Sequence, residues 1–165
     1  MRATLGFASL AFFVFTSAAT AQKPPSIAGT YRFVSRVMAD GSKQVPPMID
    51  GLITYTAGYR NFNIYWKDAA GKAFSVSYAA SYELTAKEYR EKSIFFLVND
   101  EIGGKGATYD LSGPSGASPV TITGTAIAFQ APLHGEPALV FDGNTLTATA
   151  KGPFGTFVDH WERVP

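Results

Sequence analysis

The sequence lacks cysteine altogether, and it lacks an excess of charge of either sign. Without cysteine, the chain cannot form disulfides, bind metal through thiolates or carry a lipid on a cysteine side chain. It has 14 basic and 13 acidic residues, and removal of Arg2 leaves 13 of each. This balance argues against nucleic acid and anionic membrane surfaces as partners, because both select proteins with excess positive charge.

A hydrophobic run long enough to span a membrane is also missing. The apolar run over 5–15 has eleven residues, which as a helix would rise only about 16 Å against a bilayer core of roughly 30 Å. It follows Arg2 and precedes Ala19-Thr20-Ala21, a pattern typical of a secretory signal peptide rather than a membrane anchor. We therefore expect a signal peptide over 1–21, one domain over 22–165, and a secreted or periplasmic product without stable membrane insertion.

Helical periodicity is scarce after Ala28, where apolar and polar residues alternate with a period of two. The segment 87–98 is ambiguous, since its first half has good helix formers, but its second half is β-rich and favours a strand. Residues 99–119, rich in Gly, Ser and Pro, predict a long irregular loop. The predicted strands are 30–38, 52–56, 60–66, 74–84, 87–98, 120–130, 138–141, 145–150 and 156–164.

The joints between these strands are short, and no crossover helix is needed. Such a chain forms an all-β sandwich or an up-and-down antiparallel barrel. We favour a barrel of about eight to nine strands, because closure removes the exposed sheet edges. A barrel of this size is just wide enough to hold one small ligand.

The first and last predicted strands carry matching motifs for closing one end of such a barrel. Gly29 would let the chain bend over the end, Tyr31 would plug it, and Arg163, following Trp161, would lie on the tyrosine ring. The pieces GTYRFVS, VPPMIDGLITYT and HWERV resemble the lipocalins, and more closely the bacterial and fungal lipocalin-like domains. This resemblance implies a barrel fold and apolar ligands, and it implies no reaction. Tyr31 stands where that family usually has tryptophan.

Strand parity places an aromatic set on the inward faces, where it either fills the core or walls a cavity. We take these residues as ligand-binding candidates, together with Tyr89 and Glu91 from the strand over 87–98. Glu91 would anchor a polar group of the ligand or donate a proton, or it would be part of a structural ion pair or exposed. If it is buried it needs a partner, and inward-facing Arg60 or Asp159 would join it. The inward aromatic candidates are Phe33, Phe62, Trp66, Phe74, Tyr78 and Tyr82.

Other motifs with possible chemistry are weak. GGKGAT (103–108) lacks the glycine spacing of a phosphate-binding loop. His160 is expected to point outward, and His134, in a Pro-flanked loop, is expected to be solvated. We therefore predict no catalytic residue, metal or cofactor.

The favoured hypothesis is an exported barrel that binds a small, mostly apolar molecule. The alternatives are an isomerase- or cyclase-type barrel enzyme that uses Glu91 and a tyrosine, and a filled barrel that binds other proteins.

Overall fold

The fold is known from a computed structural model, which describes residues 25–152 and 155–165. The expected signal peptide lies outside these residues. In the described ranges, no helix is long and apolar enough to cross a membrane. The strands are β1 (Gly29–Val37), β2 (Lys43–Gln44), β3 (Ile49–Tyr55), β4 (Tyr59–Lys67), β5 (Ala73–Leu84), β6 (Glu88–Asp100), β7 (Gly106–Asp110), β8 (Ser115–Pro119), β9 (Thr121–Thr123), β10 (Ala126–Gln130), β11 (Ala138–Asp142), β12 (Thr145–Gly152) and β13 (Gly155–Arg163).

The strands form one curled antiparallel sheet in the order β7-β6-β5-β4-β3-β1-β13-β12-β11-β10-β9, with β2 on β1 and β8 on β6. The pairing of β13 with β1 joins two meanders of sequential hairpins. Ser118 on β8 donates a hydrogen bond to the carbonyl of Gln130 on β10, which brings the two halves of the sheet together at a seam. The prediction of an all-β, antiparallel, barrel-like fold is confirmed.

The predicted number of strands is wrong. The segment 99–119 contains β7 and β8, and 120–130 divides into β9 and β10 around a turn at Gly124. The short β2 was also not expected. The strand assignment over 87–98 is confirmed by β6, and the helical alternative is wrong.

Two β-bulges change which side chains point inward. In β1 the pairing with β13 shifts between Phe33 and Ser35, so that Ser35 and Arg36 are both buried, although strict alternation from Phe33 would place Arg36 on the outer face. In β6 the pairing shifts after Ser93, because Ala79 pairs with Phe95 while Ala80 pairs with Ser93. An extra residue in one strand reverses the alternation beyond it. Phe96, rather than Phe95, therefore shares the inward face with Tyr78.

Aromatic rings fill the half of the barrel that contains Tyr31. Phe33 meets Trp161 edge to face with ring centroids 5.1 Å apart, and Tyr31 meets Phe141 at 5.6 Å. Rings in such edge-to-face pairs add favourable quadrupole contacts to the burial of apolar area. Phe129 stacks on Tyr89 at 4.1 Å and continues the packing across the seam.

Candidate functional site

One end of the barrel is closed by the first and last strands. Arg163 donates a hydrogen bond to the Tyr31 hydroxyl at 2.8 Å, and its guanidinium carbon lies 5.3 Å from the Tyr31 ring centroid. Gly29 has a φ of +148°, and a Cβ placed there would lie 3.0 Å from Arg163 Nε. Trp161 packs beside these residues against Phe33. The four residues expected to close the barrel therefore lie together, and side chains seal this end.

The opposite half of the barrel is lined by inward side chains that remain partly exposed. These side chains belong to the central strands β4, β5 and β6, and the cross-strand partners Ile53, Ile49 and Tyr78 are buried, which places the side chains on the inner face of the sheet. Phe62, Trp66 and Val76 also pack against the buried core. We call this set the aromatic cup: Phe62, Trp66, Phe74, Val76, Phe96 and Val98.

The rim of the cup carries a stacked aromatic pair and a buried ion pair. Trp66 and Phe74 stack with centroids 4.4 Å apart. Arg36 binds Asp159 through two hydrogen bonds of 2.7 and 2.8 Å, and its guanidinium carbon lies 4.9 Å from the ring centroid of Trp66 and 4.0 Å from that of Phe157. Burial raises the pKa of Asp159, and Arg36 partly offsets this rise. The bulge in β1 is what turns Arg36 inward and makes this pair possible.

A second buried group of charges forms the floor of the cup. Arg60 binds Glu136 through two hydrogen bonds of 2.6 and 2.8 Å, and its Nη1 lies 3.3 and 3.4 Å from the carboxylate oxygens of Glu91. The hydroxyls of Tyr78 and Tyr89 each donate to one oxygen of Glu91. The guanidinium carbon of Arg60 is 5.7 Å from the Phe62 centroid. We call Arg60, Glu91, Glu136 and the two tyrosines the Arg60 cluster.

The protonation states in the Arg60 cluster follow from its burial. Burial raises the pKa of Glu136, and Arg60 lowers it in part. Burial disfavours the charged form of Arg60, but Glu136, Tyr55 and Glu91 together outweigh this and raise the pKa of Arg60. Burial also raises the pKa of the Tyr78 and Tyr89 hydroxyls, which therefore remain hydrogen-bond donors to Glu91.

Glu136 is the member of this cluster that the sequence did not predict. It lies in the loop 131–137, between β10 and β11, which closes the seam: Pro132 and Leu133 pack against Gly116 of β8. A single glutamate in a loop gives no periodic pattern that would place it inside a barrel. Of the two residues expected to join Glu91, Arg60 does so, whereas Asp159 pairs with Arg36.

His134, in the same loop, is not the solvated side chain that was expected. Its side chain is 10% exposed, its ring stacks on Phe96 with centroids 4.1 Å apart, and it meets Tyr78 edge to face at 5.2 Å. Its Nδ1 lies 3.9 Å from a carboxylate oxygen of Asp110. Its Nε2 is buried and has no hydrogen-bond partner among the described residues. His160, as expected, is exposed.

The predicted ligand-binding residues do not all lie in one place. Tyr82 donates to the Thr56 carbonyl at 2.9 Å and stacks on Tyr89, towards the closed end. The aromatic cup and its floor therefore contain only some of the predicted ligand-binding residues. Phe62, Trp66 and Phe74 line the cup, and Tyr78, Tyr89 and Glu91 belong to its floor. Phe33 and Tyr82 pack in or beside the aromatic core, which the Tyr89 ring also joins.

The part of the chain that the structure describes contains no group of three or more His, Cys, Asp or Glu side chains placed to hold a metal ion. No family model matches the chain, and neither a curated protein nor a solved structure is significantly similar to it.

Proposed function

We propose that the protein binds a small, mostly apolar ligand in the aromatic cup. The observation that carries this proposal is the partial exposure of Phe62, Trp66 and Val76, whose side chains point into the barrel. Apolar surface that faces an interior space gains free energy when a ligand covers it, by about 25 cal/mol per Å². The closed end and its aromatic core would confine such a ligand to the opposite half.

The Arg60 cluster supports the same function by giving the cup a polar floor. Sites for small molecules combine apolar walls with a few fixed polar groups that orient the ligand. Here Arg60 lies against Phe62, so a ligand that fills the cup would bring one end to the cluster. The proposal also includes that the chain is a lipocalin-like domain and that it is exported after cleavage behind Ala21. For export, N-terminal sequencing of the secreted form should give QKPPSIAG.

Proton-transfer catalysis by Glu91 and a tyrosine is less well supported. Both oxygens of Glu91 already accept hydrogen bonds, from Tyr78, Tyr89 and Arg60. A general base needs a lone pair within reach of the substrate proton, and the occupied oxygens of Glu91 offer little room for one.

Titration with N-phenyl-1-naphthylamine, a neutral apolar dye, tests the proposal. Its fluorescence should rise on binding, and Val98→Trp, which fills the cup, should weaken binding. Val140→Trp is the matched control, because Val140 is 39% exposed on β11. The proposal fails if the wild type does not bind the dye, or if the two variants, shown to be folded by circular dichroism, bind it equally well.

A further inference from the structure

The floor of the cup carries more negative than positive charge. Glu91 and Glu136, with side chains 0% and 6% exposed, share the single guanidinium of Arg60. The other buried pair, Arg36 with Asp159, is balanced. Among the described residues, the Arg60 cluster therefore holds two carboxylates and one cation. Buried charge without a partner is costly, so a guest that brings a positive charge is favoured there.

The hydrogen-bonding capacity left at the floor includes acceptors on Glu136 and His134, beside one unpaired donor, the Nε–H of Arg60, and the unpaired hydroxyl of Tyr55. Each oxygen of Glu136 accepts one N–H from Arg60, and a carboxylate offers about four acceptor sites. His134 adds its Nε2, which is buried and has no hydrogen-bond partner among the described residues. The Asp110 carboxylate near Nδ1 favours the tautomer that carries its proton on Nδ1, which leaves Nε2 as an acceptor. A guest with N–H donors matches the acceptors of Glu136 and His134.

The aromatic rings around the floor already hold one cation, the guanidinium of Arg60. The guanidinium carbon of Arg60 lies 5.2 Å from the Tyr78 ring centroid and 5.7 Å from those of Tyr55 and Phe62. The faces of aromatic rings attract ammonium and guanidinium groups at this range. A protonated His134 would be balanced by Asp110 beside it, so it would not cancel the excess charge of the cluster.

We propose that the ligand of the aromatic cup is an apolar amine. Its ammonium group would take the free acceptor sites of Glu136 and His134, and its apolar body would lie against Phe62, Trp66 and Phe74. This inference rests on the proposed function and adds the chemical class of the ligand. A carboxylate at the same place would face Glu91 and Glu136 with like charge, so fatty acids would be poor ligands.

Three probes with the same ten-carbon chain test the head group directly. Decylamine, decanol and decanoate would compete with N-phenyl-1-naphthylamine at neutral pH. Decylamine should displace the dye at a concentration about tenfold or more below that of decanoate, because a charge-assisted hydrogen bond contributes about 1.5–3 kcal/mol. Equal displacement by the three probes, or stronger displacement by decanoate, would overturn the amine proposal while the proposed function stands. If neither the dye nor any probe binds, both the amine proposal and the proposed function are wrong.

A pair of glutamate variants locates the preference. Glu136→Gln should remove most of the advantage of decylamine while decanol binding stays within about twofold, which shows that the variant cup is intact. Glu162→Gln, at an exposed glutamate paired with Arg32, should leave the advantage unchanged. If Glu136→Gln keeps the full preference for decylamine, the ammonium is not held at Glu136 and the proposed site is wrong.

Discussion

Replacing Arg60 with methionine tests whether the two buried carboxylates depend on one guanidinium. The variant keeps a side chain of similar length, but Glu91 and Glu136 lose every hydrogen bond that Arg60 donates to them. Removing one partner of a buried ion pair costs about 3–5 kcal/mol, because the other charge stays buried without compensation. We expect a loss of this size in the free energy of unfolding at neutral pH.

Acid should restore part of the lost stability. Arg60 lowers the pKa of Glu136, and without it burial raises that pKa further above the ordinary 4.5. The folded variant then binds more protons than its unfolded chain between pH 4.5 and the raised value, so its stability falls as the pH rises through this window. The deficit relative to the wild type should therefore shrink as the pH is lowered towards 4.5.

Urea unfolding, followed by circular dichroism at neutral and mildly acidic pH, measures both effects. Arg32→Met is the matched control: Arg32 pairs with Glu162 on the surface and its side chain is 63% exposed. Such a surface pair contributes about 0–1 kcal/mol. An Arg60→Met loss within about 0.5 kcal/mol of the Arg32→Met loss would refute the argument.

Three further predictions concern the closed end and the seam. Arg163→Ala should cost about 1–3 kcal/mol of unfolding free energy through the lost Tyr31 contacts, whereas Glu162→Ala should cost under about 0.5; similar losses in urea unfolding would contradict the closure. Gly29→Ala should cost about 1–3 kcal/mol because of its positive φ, and an unchanged midpoint would argue against that conformation. The stability of the wild type relative to Glu136→Gln should fall as the pH rises above 4.5, since the pKa of Glu136 is raised; a difference that grows with pH would show the opposite shift.

Alternation predicted the central strands well, because each has one face on the core. In β5, Phe74, Tyr78 and Ala80 follow the expected period of two, and the register with β4 runs without interruption. β7 and β8 were missed because GATYD and SGASP are short and offer few apolar residues. Their pairing with β6 comes from the sheet edge beside them, which lies outside the local sequence.

The candidate site was predicted only in part, for two physical reasons. A bulge reverses the parity of every later residue in its strand, so the inward positions of Arg36 and Phe96 do not follow from alternation. Glu136 reaches the interior because its loop fills the seam between β8 and β10. This depends on how distant strands meet, which local patterns do not encode. Arg60 and Glu91 lie in uninterrupted stretches of β4 and β6, and their pairing was among the expected alternatives.

The location of a bound apolar probe tests the central claim most directly. Methyl NMR of valine-labelled protein during titration with N-phenyl-1-naphthylamine compares Val76 and Val98, which lie in the cup, with Val45 and Val140, which are 47% and 39% exposed. Binding in the cup predicts saturable shifts for the methyl groups of Val76 and Val98, and small shifts for those of Val45 and Val140. Shifts confined to Val45 or Val140, or no shift at saturating dye, would contradict a ligand site inside the barrel.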